Sequence, residues 1–238
     1  MYLTNFQRED GFGAQYQTII FSILYCELEN LEFVYTPFSK MEHNYESDPL
    51  FIQKKEELIN LIDKFKLSNQ VNYSETVRVS PQILYRKVED NLDYCLGTES
   101  FNLIKKSFFE NKPKKELSSG QTLSLHIRRP NMYDIGDYGY TEDNYFLRVI
   151  DTILDKNSDI EKIKIYSQGS EELFKNFSSH NIEYHLNESI EQTFTDLVMS
   201  DILVMSKGSF SYTAGLLSRG EVYYLPFWHK PKKTWIKL

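Results

Sequence analysis

Cysteine is nearly absent from this chain: Cys26 and Cys95 are its two representatives, both in apolar helical contexts and without Cys-x-x-Cys spacing. That scarcity excludes a disulfide framework or a thiolate metal knuckle and leaves two packed thiols. Long apolar runs are missing as well. The longest, residues 18–25, is too short and too polar at its edges to span a bilayer. No apolar stretch of signal-peptide type follows Met1, so a cytoplasmic location is the expectation. Positive charge is in deficit, with 27 Lys and Arg against 34 Asp and Glu and a formal charge of −7. This disfavours a binder of nucleic-acid backbones, and the basic runs at 112–115 and 230–233 read as solvated surface. Several catalytic signatures are lacking too. There is no Asp-x-Asp pair to clamp a metal–diphosphate, no Walker loop, no Gly-x-Ser-x-Gly elbow and no His-Glu-x-x-His helix. Chemistry without a metal or a cofactor is therefore the expectation.

What the chain does have is material for a core. Apolar residues make up 41% of it and aromatics 15%, which argues against disorder. The pattern predicts a strand over residues 2–6, a glycine loop, a helix over 14–30 and a strand over 31–35, the first half of a Rossmann-like unit. Helices are predicted over 51–66 and 82–110, the latter broken at Leu96-Gly97, with an extended segment at 71–79. Residues 111–120 carry Pro, Ser and Gly without periodicity and read as a linker, dividing the chain into domains 1–115 and 116–238. After it, strands (122–128, 162–167, 182–185, 202–206, 221–225) alternate with helices (142–157 capped by Thr141, 171–178, 190–200, 210–218). That alternation predicts an α/β, doubly wound parallel sheet.

The stretch Gln121-Thr-Leu-Ser-Leu-His-Ile-Arg-Arg-Pro130 is the centre of the pattern. Leu123, Leu125 and Ile127 alternate along a buried strand, which delivers His126, Arg128 and Arg129 to its carboxyl end, where open α/β sheets bind ligands. Adjacent guanidiniums suit phosphate. In the following loop, Asp134 and Asp137 are carboxylates near that cationic mouth and candidate bases; Asp10 and Glu9, on the glycine loop, are others. Ser206-Lys-Gly-Ser-Phe-Ser211 leaves a buried strand and opens a helix, with Ser209 and Ser211 placed to meet phosphate at the helix N-terminus or simply to cap it. Asp10-Gly-Phe-Gly-Ala-Gln15 allows close backbone approach of a ligand, or is a tight turn that needs positive φ. As a dinucleotide fingerprint it fails, because Tyr16 stands at the third glycine position.

Taken in order, the glycine loop, His126-Ile-Arg-Arg129 and the segment from Asp196 to Ser211 resemble the GDP-fucose-dependent fucosyltransferase superfamily of α1,2-, α1,6- and protein O-fucosyltransferases. The resemblance implies a compact type-B glycosyltransferase, two facing Rossmann-like domains, and an inverting, metal-independent transfer from GDP-fucose to a glycan or other hydroxyl acceptor. It implies that Arg128 grips the donor diphosphate and offsets leaving-group charge, with His126 and Arg129 beside it. Asp196 would contact the guanine side, and Ser209, Phe210 and Ser211 the pyrophosphate. Gly11, Gly13 and Gln15 would close on donor or acceptor from the first domain. The sequence departs from the superfamily where Pro130-Asn131 replaces the usual Gly-Asp, which motivates a second expectation: a binding protein of the same fold without turnover.

Overall fold

The computed structural model describes residues 1–113, 120–129 and 140–238, with Tyr73 described for its backbone alone. Asp134 and Asp137 lie outside the described residues. The chain divides into two compact units, Met1–Lys114 and Lys115–Leu238.

In the first unit, β1 (Tyr2–Thr4) and β2 (Glu32–Val34) pair in parallel around α1 (Phe12–Glu29). Tyr16, Ile20, Phe21 and Leu24 of α1 are all fully buried. A helix covered on nearly every side is a core rod, not a surface helix with one wet face. It stops at Asn30, whose φ of 53° is the left-handed conformation that asparagine tolerates at a helix end. The same device corrects the expectation for the next helix. α2 (Phe51–Ile59) ends at Asn60 with φ 54°, well before residue 66, so Ile62 lies 40% exposed beyond it. The segment 71–79 is not a strand: it holds a 3-10 turn, Tyr73–Glu75, and one parallel bridge from Tyr2 to Thr76. Then follow α3 (Pro81–Asp90), α4 (Leu92–Cys95) and α5 (Glu99–Glu110). Ser80 caps α3 and Thr98 caps α5, each accepting from a backbone N–H of the first turn.

The second unit is a six-stranded, all-parallel sheet built from β3 (Gln121–His126), β4 (Ile160–Ser167), β5 (Ile182–Leu186), β6 (Ile202–Val204), β7 (Glu221–Tyr224) and β8 (Ile236–Lys237). Helices α6 (Asp143–Leu154), α7 (Ile190–Met199) and α8 (Ser209–Leu217) and a 3-10 helix, Glu171–Phe177, connect them. The spatial order is β5-β4-β3-β6-β7-β8. The order reverses between β3 and β6, and the crevice beyond the carboxyl ends of those two strands is where sheets of this kind take ligands. β3 is central, with Leu123, Ser124 and Leu125 buried along it and Ile127 buried just past its end, so its two faces pack on helices. Thr141 does not cap α6; the N-cap is Glu142 without a side-chain bond, and Thr141 Oγ1 is buried with no partner among the described residues. β8 is an addition to the predicted strands. It pairs through two residues, too few for an alternating pattern to show.

Candidate functional site

In the second unit the sequence motifs converge at the switch point. His126 closes β3, and across the sheet its register partner on β4 is Tyr166, whose partner on β5 is His185. Register partners share a face, so these three side chains form one polar row over the strand ends. His185 and Tyr166 stack at 4.7 Å with 19° between their planes. Neither residue is marked by local sequence, because strand register brings them together and register is not written in either segment alone.

His126 shares a 2.8 Å hydrogen bond through Nδ1 with Ser206 Oγ, just past β6, and its ring lies 5.2 Å from Phe210. Enclosure first, then the neighbouring positive charge of Arg128, push the imidazole pKa down to about 4. His126 is therefore neutral at physiological pH and acts as a wall and hydrogen-bonding group, with no cationic charge to offer an anion.

Ser206 and Ser211 are stapled to each other. The Ser206 N–H donates to Ser211 Oγ at 3.1 Å, and the Ser211 hydroxyl donates to the Ser206 carbonyl at 3.1 Å. Ser211 is fully buried by this arrangement. The N-cap of α8 is Gly208, not serine, and it provides no side-chain cap. A side chain added at Gly208 would meet nothing within 4 Å among the described residues. A helix N-terminus without a side-chain cap favours an anion through its first-turn N–H groups and its dipole. Ser209 and Phe210 lie there half-buried.

The two adjacent arginines part company. Arg128 is half-buried with its guanidinium 5.8 Å from the centre of the Tyr140 ring. Arg129 pairs with Asp143 in the first turn of α6, lies 4.9 Å from the Phe174 ring centre, and is only 13% exposed. Asp143 also accepts from Asn176 Nδ2 at 2.9 Å. Arg129 thus ties the strand exit to α6, and Arg128, two residues past the end of β3, stands beside Tyr140.

Asp196, on α7, accepts from Tyr166 Oη at 3.2 Å and from Gln192 Nε2 at 2.9 Å. Burial first, then the Asp196 charge, push the Tyr166 phenol well above its ordinary range, so it remains a donor to that carboxylate. Phe194 of α7 meets Phe210 edge-on at 5.4 Å, which joins the Asp196 helix to the α8 start. His126, Tyr166, His185, Asp196, Ser206 and Phe210 are accordingly one connected constellation.

The glycine loop belongs to the first unit. Gly11 is the N-cap of α1 with φ −65°, so positive φ is not its reason for being glycine. A Cβ there would come within 3.0 Å of His43 Nε2, so close approach of the 43–45 loop is the reason. Gly13 lies in the first turn of α1 and is buried. Asp10 is gripped by Arg8, whose Nε donates to both carboxylate oxygens at 3.0 Å. Gln15 is buried and donates to the backbone carbonyls of Asp10 at 2.6 Å and Lys40 at 2.9 Å, which makes it a clamp inside the loop. A concavity at the carboxyl ends of β1 and β2 is lined by Asn5, Arg8, Gln15 and Phe38 among others.

No protein-family profile and no curated protein sequence matches the chain. Solved structures do. The E. coli heptosyltransferase WaaC with ADP aligns at a TM-score of 0.50 and 12% identity, over 99% of this chain and 92% of that one. The fucosyltransferase NodZ from Bradyrhizobium aligns at 0.48 and 11% identity, over 91% and 93%. POFUT1 in complex with GDP aligns at 0.44 and 11% identity, over 91% and 94%. At such identities a likeness speaks for the fold, and the WaaC alignment carries it: this chain has the α/β fold of the type-B glycosyltransferases.

Proposed function

We propose that the protein is an inverting, metal-independent glycosyltransferase that moves a sugar, fucose from GDP-fucose, to a hydroxyl of a glycan acceptor. The observation that carries this reading is the constellation at the β3/β6 switch point: Arg128 just past the end of β3, neutral His126 bonded to Ser206, and an α8 N-terminus whose N-cap, Gly208, supplies no side-chain cap. That is the equipment needed to hold a diphosphate and to stabilise it as it departs. The likeness to a heptosyltransferase with ADP supports a nucleotide-sugar donor, and the ordered resemblance of the three motifs supports GDP-fucose over other donors.

In this reading the second unit holds the donor. Arg128 and the N–H groups of Ser209, Phe210 and Ser211 take the diphosphate, with Asp196 at the base. The first unit serves the acceptor. The acceptor oxygen forms a bond to the anomeric carbon from the face opposite the diphosphate. The carbon–oxygen bond to phosphate breaks, its electron pair leaving with the diphosphate, and configuration inverts. Asp10 and Asp134 are the proposed proton acceptors. Both oxygens of the Asp10 carboxylate are taken by Arg8 within their own loop, and this favours a second reading, a binding protein that takes the donor without turnover.

Calorimetric titration with GDP and GDP-fucose tests the first step. We expect saturable binding, weakened about 10- to 100-fold by Arg128→Ala, the loss of one charge-assisted contact. No binding by the intact protein, or undiminished binding by the variant, contradicts the assignment. Release of GDP from GDP-fucose in the presence of a glycan panel separates the enzyme from the binding protein.

A further inference from the structure

We infer that the loop following β7, residues 225–235, is a docking surface for an acidic glycan, with Trp228 as its stacking platform. As a statement about the acceptor it rests on the glycosyltransferase reading; as a statement about binding it stands alone. Trp228 is 65% exposed, more than any other large apolar side chain among the described residues of this unit. Its exposure is not that of a loose loop, because buried tyrosine hydroxyls pin the backbone on both sides of it. Tyr224 Oη accepts from the Phe227 N–H at 3.2 Å and donates to the His229 carbonyl, and Tyr212 Oη donates to the Lys230 carbonyl at 2.7 Å. Tyr212 also packs its ring 4.9 Å from His229. A large ring held out in water by a rigid turn is the unusual feature, and binding surfaces use such rings as anchors.

Charge names the partner. Residues 222–238 carry four lysines (Lys230, Lys232, Lys233 and Lys237) and no Asp or Glu, in a chain of formal charge −7. Against an acidic background that stretch attracts an anion. Position then separates the anions. Tyr212, which pins the turn, sits on α8 directly after Ser211, so the Trp228 turn is braced by the same helix whose N-terminus opens at the switch point. A saccharide ring bearing a carboxylate or sulfate matches one indole face with lysines following it along the chain, and a turn braced by the proposed donor helix holds an acidic sugar of the acceptor other than the one whose hydroxyl reacts, which the first unit serves. A lipid surface would have no such reason to be tied to α8.

The test uses the full chain, titrated calorimetrically with oligogalacturonate, with its fully methyl-esterified neutral counterpart and with a heparin-derived oligosaccharide. Vesicles containing phosphatidylserine are tested by co-sedimentation in parallel. The expected result is binding of an acidic oligosaccharide, weakened by salt and at least tenfold weaker for the neutral ester. Trp228→Ala and the pair Lys232→Glu with Lys233→Glu should each weaken it at least tenfold, while GDP affinity stays within about twofold. The inference is overturned if neither acidic oligosaccharide binds, if the neutral ester binds as well, if either variant retains full binding, or if the vesicles bind and the oligosaccharides do not. Failure of GDP to bind at all removes the glycosyltransferase reading and leaves the oligosaccharide titration to decide the surface.

Discussion

Arg128 and Arg129 are neighbours in sequence and share a charge, yet their surroundings give them different work. Arg129 and Asp143 are 13% and 17% exposed, so removing one partner strands a charge in a poorly solvated place. Arg129→Met should therefore cost about 3 kcal/mol of stability in urea unfolding and leave GDP affinity nearly intact, whereas Arg128→Ala should weaken GDP binding. Equal effects of the two on GDP affinity would contradict this division. His126 makes a prediction of its own. Its pKa falls from 6.5 to about 4 on folding, so between those values the unfolded chain binds the extra proton and stability rises with pH. The contribution is complete above about pH 6.5 and is lost as pH falls toward 4. His126→Asn should flatten that part of the stability profile, read as the melting midpoint against pH; an unchanged slope would show that the imidazole is not enclosed as described. Both arginines and His126 were legible as candidates from their place at a strand end. That Arg129 serves α6 was not, because Asp143 lies beyond a long loop and the pair forms only when the helix folds back on the sheet.

At the scale of the element, α8 and the turn before it decide what the crevice offers. The Ser206–Ser211 staple holds the helix start against His126, so Ser211→Ala should cost about 1–3 kcal/mol by leaving buried groups unpaired. Ser209→Ala should stay within about 0.5 kcal/mol, since Gly208 and not Ser209 is the cap. Chemical denaturation of the two variants distinguishes them, and equal losses would contradict the staple. The elements themselves were readable wherever apolar periodicity is long. α7 and α8 lie close to their predicted spans, and the buried strands β3 and β6 stand out as runs of Leu, Ile and Val. Boundaries fixed by a single backbone conformation were not readable. α2 stops because Asn60 turns left-handed, although apolar residues at helical spacing continue past it. Tyr166 and His185 escaped for a related reason: each is one aromatic or polar residue near a strand end, and only the pairing of β3, β4 and β5 makes them a row.

At the scale of the whole molecule, the chain holds two compact units, each with parallel strands and each with a glycine- or serine-bearing turn leading into a helix start. The turns are built differently. In the first unit the carboxylate and the glutamine of the glycine motif are spent on holding their own loop, through Arg8 to Asp10 and Gln15 to two carbonyls. In the second, the helix start has no side-chain cap, and a Cβ at Gly208 would meet nothing within 4 Å among the described residues. An anion is therefore expected at the second turn, on physical grounds that stand apart from any resemblance. The measurement that reaches this claim most directly is a crystal structure of the protein with GDP bound. The diphosphate should lie within hydrogen-bonding distance of Arg128 and of the backbone N–H groups at the start of α8, with the base toward Asp196. A diphosphate held elsewhere, with Arg128 still directed at Tyr140 and the α8 N-terminus bare, would contradict it.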